Sequence, residues 1–200
     1  MSRVIGITGN IACGKSAVGQ ILLEAGVERY IDADALVHYL YERGQVIAQE
    51  VGAAFGEQVL NSDGSVNRQV LGAIVFNNSE ALKRLEGIVH PAVSRAVRQE
   101  LDTVSEQGIA VLDAVKLLEG GSAALCQSKW LVICAPEKQL ERLMQRNHLS
   151  ETEAHMRLSM QPDTRQRMKL VDVVIDNSGT LAETRQQVLT ALHSFVDGTV

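Results

Sequence analysis

Gly9, Gly14, Lys15 and Ser16 stand at the spacing G-x-x-x-x-G-K-S, within the run Gly9-Asn10-Ile11-Ala12-Cys13-Gly14-Lys15-Ser16. The chemistry that calls for this pattern is the holding of a polyphosphate. Backbone N–H groups must wrap the phosphate oxygens, so small residues and unhindered dihedrals are favoured. A helix starting at the end of the run adds partial positive charge where the phosphates sit. Asn10, Ala12, Cys13, Gly14, Lys15, Ser16 and Ala17 are therefore the candidate contacts to a nucleotide. Lys15 is expected to bridge the β- and γ-phosphates of ATP, and Ser16 to ligate Mg²⁺. The bland alternative, a glycine-rich turn ahead of a structural helix, does not account for the motif and its strand-to-helix context together. The loop alone leaves the reaction open, because kinases, ATPases and switches share it.

Carboxylates and cations narrow the chemistry. Asp113 ends the apolar run Ile109-Ala110-Val111-Leu112. An acid there holds Mg²⁺ directly or through water, or else serves as a helix cap or turn former. Downstream of a phosphate loop the metal-side role is favoured. Asp32 and Asp34 follow another short apolar run, and carboxylates at the C-terminal ends of parallel strands face the ligand crevice of α/β proteins. One of the pair can take the proton of an attacking hydroxyl. The other reading is a helix cap, and both hold if Asp32 caps while Asp34 points into the site. Arg142 and Arg146, four apart on one helix face, suit the neutralisation of a transferring phosphoryl group. Arg157, Arg165, Arg167 and Lys169 follow. For the later arginines, a solvated face paired with Glu137, Glu141, Glu151 and Glu153 competes equally with function.

These groups need a scaffold, and the periodicity supplies one. Strands are predicted at Arg3 to Thr8, Val27 to Ile31, Ile109 to Asp113, Trp130 to Cys134 and Val171 to Asp176. Helices are predicted from Lys15 to Ala25, around Val46 to Phe55, from Arg68 towards Phe76 and from Glu80 to Val89. A break is expected at His90-Pro91, with a long helix from there to about Glu106. Further helices are expected from Glu137 to Arg146 and from Leu181 to Phe195. Strands alternating with helices imply an α/β fold with a parallel sheet of about five strands, covered on both faces. Trp130, at the head of a strand, reads as core or cover rather than as a base-stacking platform.

Composition excludes other classes. The 200 residues are 46% hydrophobic, enough for one good core, and carry a net charge of -5. A dedicated nucleic-acid binder would usually carry a basic face. The three cysteines, Cys13, Cys126 and Cys134, fit no disulfide framework or metal site and read as reduced thiols. No apolar run approaches the ~18 residues of a membrane-spanning helix, and the first residues lack signal-peptide features. The expectation is a cytoplasmic protein with no membrane or nucleic-acid partner, most simply a monomer.

Taken in order along the chain, the residues resemble the dephospho-coenzyme A kinase family. The similarity runs through the phosphate loop, Ile31-Asp32-Ala33-Asp34, Phe55-Gly56, Asp63-Gly64, Asn67-Arg68, Leu71 and Val75-Phe76. It continues through Leu85, Ile88 and His90-Pro91, then Arg142, Arg146, Arg157 and Gln161, and ends with Lys169, Asp172, Val174-Ile175 and Asn177-Ser178-Gly179. The resemblance implies a P-loop kinase that moves the ATP γ-phosphoryl to the ribose 3′-hydroxyl of dephospho-coenzyme A. It implies one domain with a core of residues 1–34, 106–137 and 169–200, an acceptor-binding helical segment of 35–105 and a lid of 138–168. Asp34 would be the base. Asp32, Asp34, Arg68, His90 and Asp113 would lie near the acceptor, and Asn177 near the adenine.

The chain also departs from the family pattern. Asn10, Ala12 and Cys13 stand where two glycines and a serine are usual, and Asp113-Ala114-Val115-Lys116-Leu117-Leu118-Glu119 lacks the usual proline. Ala12 is strained if its backbone needs positive φ. Cys13 lies before Lys15 at a helix N-terminus, so an acidic, reactive thiol shielded by ATP is expected, with a plain serine substitute as the alternative. Cys134 is expected to be inert. The competing functions are a kinase for another nucleotide-like acceptor, a non-catalytic nucleotide-binding module and a degenerate kinase.

Overall fold

The computed structural model describes residues 3–76, 78–119 and 121–199. In chain order the elements are β1 (Arg3–Thr8), α1 (Lys15–Glu24), β2 (Arg29–Asp32), α2 (Ala33–Leu40), α3 (Val46–Phe55), α4 (Arg68–Phe76) and α5 (Ser79–Leu101). They continue with β3 (Ile109–Asp113), β4 (Ser128–Ile133), α6 (Pro136–Asn147), α7 (Glu151–Ser159), α8 (Thr164–Met168), β5 (Val173–Asp176) and α9 (Leu181–Val196). Contacts divide the chain into two compact units. One runs to Ile31 and resumes at Thr103; the other is Asp32–Asp102.

The first unit is built on a five-stranded parallel sheet in the order β2-β3-β1-β4-β5. β1 is central because Val4, Ile5 and Ile7 are apolar on both faces, as a strand covered from both sides requires. Ile5 pairs with Val111 on one side and with Ser128 on the other. Under one face pack Val18, Ile21 and Leu22 of α1 with Val188, Leu192 and Phe195 of α9. Trp130 belongs to this core: it is fully buried and its indole N–H donates to Ser128 Oγ at 2.9 Å. Gly6 has no room for a side chain, since a Cβ there would meet Leu117 and Cys126 at 2.7 Å. The strand order places the end of β1 between two neighbours reached by separate crossovers, the position where open α/β sheets bind ligands.

The second unit is helical. It buries Ile47, Ala48 and Val51 of α3, Leu71 of α4, and Val89, Ala92, Val93 and Val97 of α5. The break expected at His90-Pro91 is absent, and α5 runs through both residues to Leu101. Proline removes one N–H donor and crowds the carbonyl four residues back. The buried stripe on either side of Pro91 holds the helix together across that loss. In the first unit, two helices lie in a stretch that periodicity left unassigned. α7 opens on a reciprocal cap between Ser150 and Glu153, and α8 on an Asp163 cap.

The segment after β3, where the family pattern is lost, is packed. Leu117 is fully buried and Ala114 N–H donates to the Ile7 carbonyl at 3.1 Å. Leu117→Ala should cost about 2–5 kcal/mol in a denaturation experiment, from lost burial plus the cavity left behind. A loss below about 1 kcal/mol would mean that the segment is not seated as described.

Candidate active site

β1 delivers the chain to the phosphate loop at Gly9, and α1 takes it away at Lys15. Gly9 is held against the Val132 carbonyl, 2.5 Å from where its Cβ would stand. Gly14, the residue before α1, has φ 95° and lies so close to the Asn177 amide that no side chain fits. Ala12 does adopt positive φ, 61°. A left-handed alanine costs roughly 1–2 kcal/mol relative to ordinary backbone, so the surrounding contacts impose this shape on the loop.

Those contacts are specific. Asn177 Nδ2 donates to the Cys13 carbonyl at 2.9 Å, and its Oδ1 accepts from Thr184 Oγ1 at 2.9 Å. Gln139 Nε2 donates to the Ile11 carbonyl at 2.6 Å, and Ile11 N–H donates to Gln161 Oε1 at 3.1 Å. Asn10 Nδ2 donates to the Pro162 carbonyl at 3.1 Å and to Thr164 Oγ1 at 3.2 Å. Ala17 N–H donates to the Gly14 carbonyl at 3.1 Å, while the N–H groups of Lys15 and Ser16 precede the first bonds of α1, so the braced loop presents donors and a helix terminus to an anion.

Lys15 and Asp113 face each other at the carboxyl edge of the sheet. Lys15 Nζ lies 3.8 Å from Asp113 Oδ1 and 3.5 Å from the Gly9 carbonyl. Asp113 is buried, and its Oδ2 accepts from the Tyr30 hydroxyl at 2.5 Å. The Tyr30 ring in turn lies flush against Gly19 of α1. Ser16 is exposed in the first turn of α1. Among the described residues no three His, Cys, Asp or Glu side chains gather into a metal site. A hydroxyl and a carboxylate beside a phosphate loop nonetheless form a hard-oxygen donor set. That set suits Mg²⁺, an ion that takes most of its ligands from phosphate and water.

The arginines divide differently from the sequence expectation. Arg142 leans over the loop: Nη2 donates to the Asn177 carbonyl at 3.2 Å, and Nη1 lies 3.6 Å from the Cβ position of Gly14. Among the described residues, that Nη1 is buried without a hydrogen-bond partner. Arg146 does not join it; it is exposed and bonds Asn147 Oδ1 at 3.1 Å. Arg157 and Arg165 are exposed as well. Arg167 is the exception among the later arginines, only 3% exposed and wrapped in oxygens. Sequence reasoning had no reason to single it out, because its burial comes from segments more than forty residues away.

In the helical unit, Asp32 caps α2: its Oδ1 accepts from the Ala35 N–H at 2.9 Å. Asp34 is exposed in the first turn of the same helix. Arg68 opens α4 and is exposed; its charge acts on the Tyr41 hydroxyl against the stronger effect of burial, which raises that pKa. His90 is exposed midway along α5.

The expectation for Cys13 is overturned. The residue is 2% exposed and belongs to the core beneath β1 and α1. Burial pushes its thiol up from 9.0 to about 11, and the opposing pull of Lys15 is weaker. Cys126 is likewise pushed up, to about 12. Cys134, expected to be inert, is half-buried, as Cys126 is; burial raises it too, with Arg142 pulling the other way.

Comparison with known proteins agrees on one family. The family model described as "Dephospho-CoA kinase" matches residues 3–183. The chain is 41% identical to the dephospho-CoA kinase of Carboxydothermus hydrogenoformans over 194 residues, covering 96% of this chain and 94% of that one. The crystal structure of TT1252 from Thermus thermophilus superposes with a TM-score of 0.85 at 31% identity, covering 97% of each chain. A dephospho-CoA kinase structure from Campylobacter jejuni gives 0.66 at 27% identity over the whole of both chains.

Brief alkylation of the folded protein near neutral pH should modify Cys134 before Cys13 or Cys126, and nucleotide should not change that order. Folding raises the Cys13 and Cys126 values, so their contribution to stability is complete below about pH 9 and is lost as pH climbs through 11 to 12. Peptide mapping reads the order directly, and first labelling at Cys13 would restore the reactive-thiol reading.

Proposed function

The chain belongs to the dephospho-CoA kinase family, and from that premise we propose how its residues divide the work. It catalyses ATP-dependent phosphorylation of dephospho-CoA, a step of coenzyme A biosynthesis. The observation that carries the assignment of roles is the braced phosphate loop, with Lys15 and the buried Asp113 facing each other 3.8 Å apart.

In our reading the ATP phosphates take the loop from Gly9 to Ser16, and Lys15 exchanges its contact with Asp113 for the β- and γ-phosphates. Ser16 and Asp113 would hold Mg²⁺, which would neutralise charge on those phosphates. Tyr30 fixes the Asp113 carboxylate by its hydroxyl. Arg142, with a buried unpartnered N–H beside Gly14, meets the charge that spreads over the transferring group. Arg146 joins only when residues 138–168, the lid in this reading, close over the site. Asp34 takes the proton of the ribose 3′-hydroxyl and aims the oxygen at the γ-phosphoryl. Residues 35–105 bind the acceptor with Arg68 and His90, while Asp32 caps α2. Asn177 supports the loop from beneath, with the adenine beside it. We place the enzyme in the cytoplasm as a monomer. Its three free cysteines accord with a reducing compartment, and no helix among the described residues is long and apolar enough to cross a membrane.

A coupled assay of ADP release with dephospho-CoA, AMP and pantothenate as acceptors tests the reading. Turnover should be confined to dephospho-CoA. Asp34→Asn should lower kcat by roughly 10²–10⁴-fold, the range for loss of a general base, while ATP binding changes little. Preference for AMP, or an Asp34→Asn enzyme within a few-fold of wild type, would contradict it.

A further inference from the structure

Arg167 is a buried cation with almost no carboxylate to balance it. Its Nη1 donates to Asn10 Oδ1 at 3.1 Å, and its Nη2 to Thr8 Oγ1 and to the Val115 carbonyl, each at 2.7 Å. Among the described residues its one ion pair is to Glu119, 3.5 Å from Nε, and that carboxylate is 45% exposed at its side chain. Burying a guanidinium is costly and is tolerated only when its donors are met with good geometry. Here Nη1 and Nη2 are met by two pieces of chain, the phosphate loop with its root at Thr8 and Asn10 and the segment after β3, while Nε has only the Glu119 carboxylate at 3.5 Å and no hydrogen-bond partner among the described residues.

Asn10 is the pivot. Its amide oxygen receives Arg167, while its amide nitrogen donates to Pro162 and Thr164. Both sides of one small side chain are thus used to tie the loop to residues 162–167. A glycine, usual here in the pattern the chain resembles, makes none of these bonds. Val115 and Glu119 fall in the other segment that departs from that pattern. Val115 meets Arg167 through its main-chain carbonyl, and Glu119 is the residue of that segment that keeps the pattern.

We propose that Arg167 and Asn10 form a latch that sets the phosphate loop in its nucleotide-receiving shape. Arg167 is then a positioning residue for ATP, acting through Asn10 and Thr8 without touching the nucleotide. A planar fork is required, because one guanidinium spans Asn10, Thr8 and Val115 at once; an ammonium reaches fewer of them. The inference rests on the loop being the ATP phosphate site.

Calorimetric titration of the full chain with ATP, and separately with dephospho-CoA, tests the latch, with thermal melting run alongside. Asn10→Ala should weaken ATP binding by about tenfold, the scale of a lost charge-assisted bond. Dephospho-CoA affinity and melting temperature should hardly move. Arg167→Lys should weaken ATP binding by a similar factor despite keeping the charge. The double variant Asn10→Ala/Arg167→Lys should be no weaker than the worse single one, because the two residues act as one unit. Tight ATP binding by Asn10→Ala, within about twofold of wild type, would overturn the proposal, as would additive losses in the double variant. A fall in melting temperature with unchanged ATP affinity would make Arg167 a purely structural residue. Lys15→Ala is the control for the underlying reading. If it binds ATP as wild type does, the loop is not the phosphate site; if it alone loses ATP, only the latch fails.

Discussion

A phosphate loop works against the usual rule of buried backbone. Its N–H groups must stay turned towards a ligand, so the loop cannot satisfy them with a regular hydrogen-bond ladder of its own. Its shape has to come from outside. In this protein it comes from side chains pressed against the rear of the loop. Asn177 holds the Cys13 carbonyl, Gln139 and Gln161 hold the two ends of the Ile11 peptide, and Asn10 is held from residues 162–167. The positive φ of Ala12 records the force of that bracing.

The sheet fixes the chemistry in the same economical way. β1 and β3 are neighbours in register, Ile7 beside Asp113, so the strand that launches the loop also sets the distance from Lys15 to the acid at the end of β3. Tyr30, at the start of β2, reaches Asp113 by its hydroxyl and packs its ring on α1. One carboxylate is thereby tied to two strands and, through Lys15, to the loop.

What was legible in the sequence follows from how local each signal is. The loop motif and the strand ending in Asp113 are written in consecutive residues, and both are found where the spacing puts them. The helix cap at Asp32 is equally local. Pro91 misleads because its local effect is overridden by the buried stripe of α5, which depends on partners elsewhere in that unit. Cys13 misleads for a related reason. The field of Lys15 does pull its thiol in the expected direction, but burial, invisible in the motif, acts more strongly. Arg167 has no signature of its own. The only trace of its role is that Asn10, which it holds, strays from the pattern the chain resembles.

The central claim is that side-chain braces set the phosphate loop before any nucleotide arrives. Backbone ¹⁵N relaxation of the nucleotide-free protein measures this most directly. The account predicts order parameters near ~0.85 for residues 10–16, the value of rigid backbone, with little change on adding ATP. Order parameters below ~0.6 in the free protein, rising only when ATP is present, would contradict it and make the nucleotide itself the organiser of the loop.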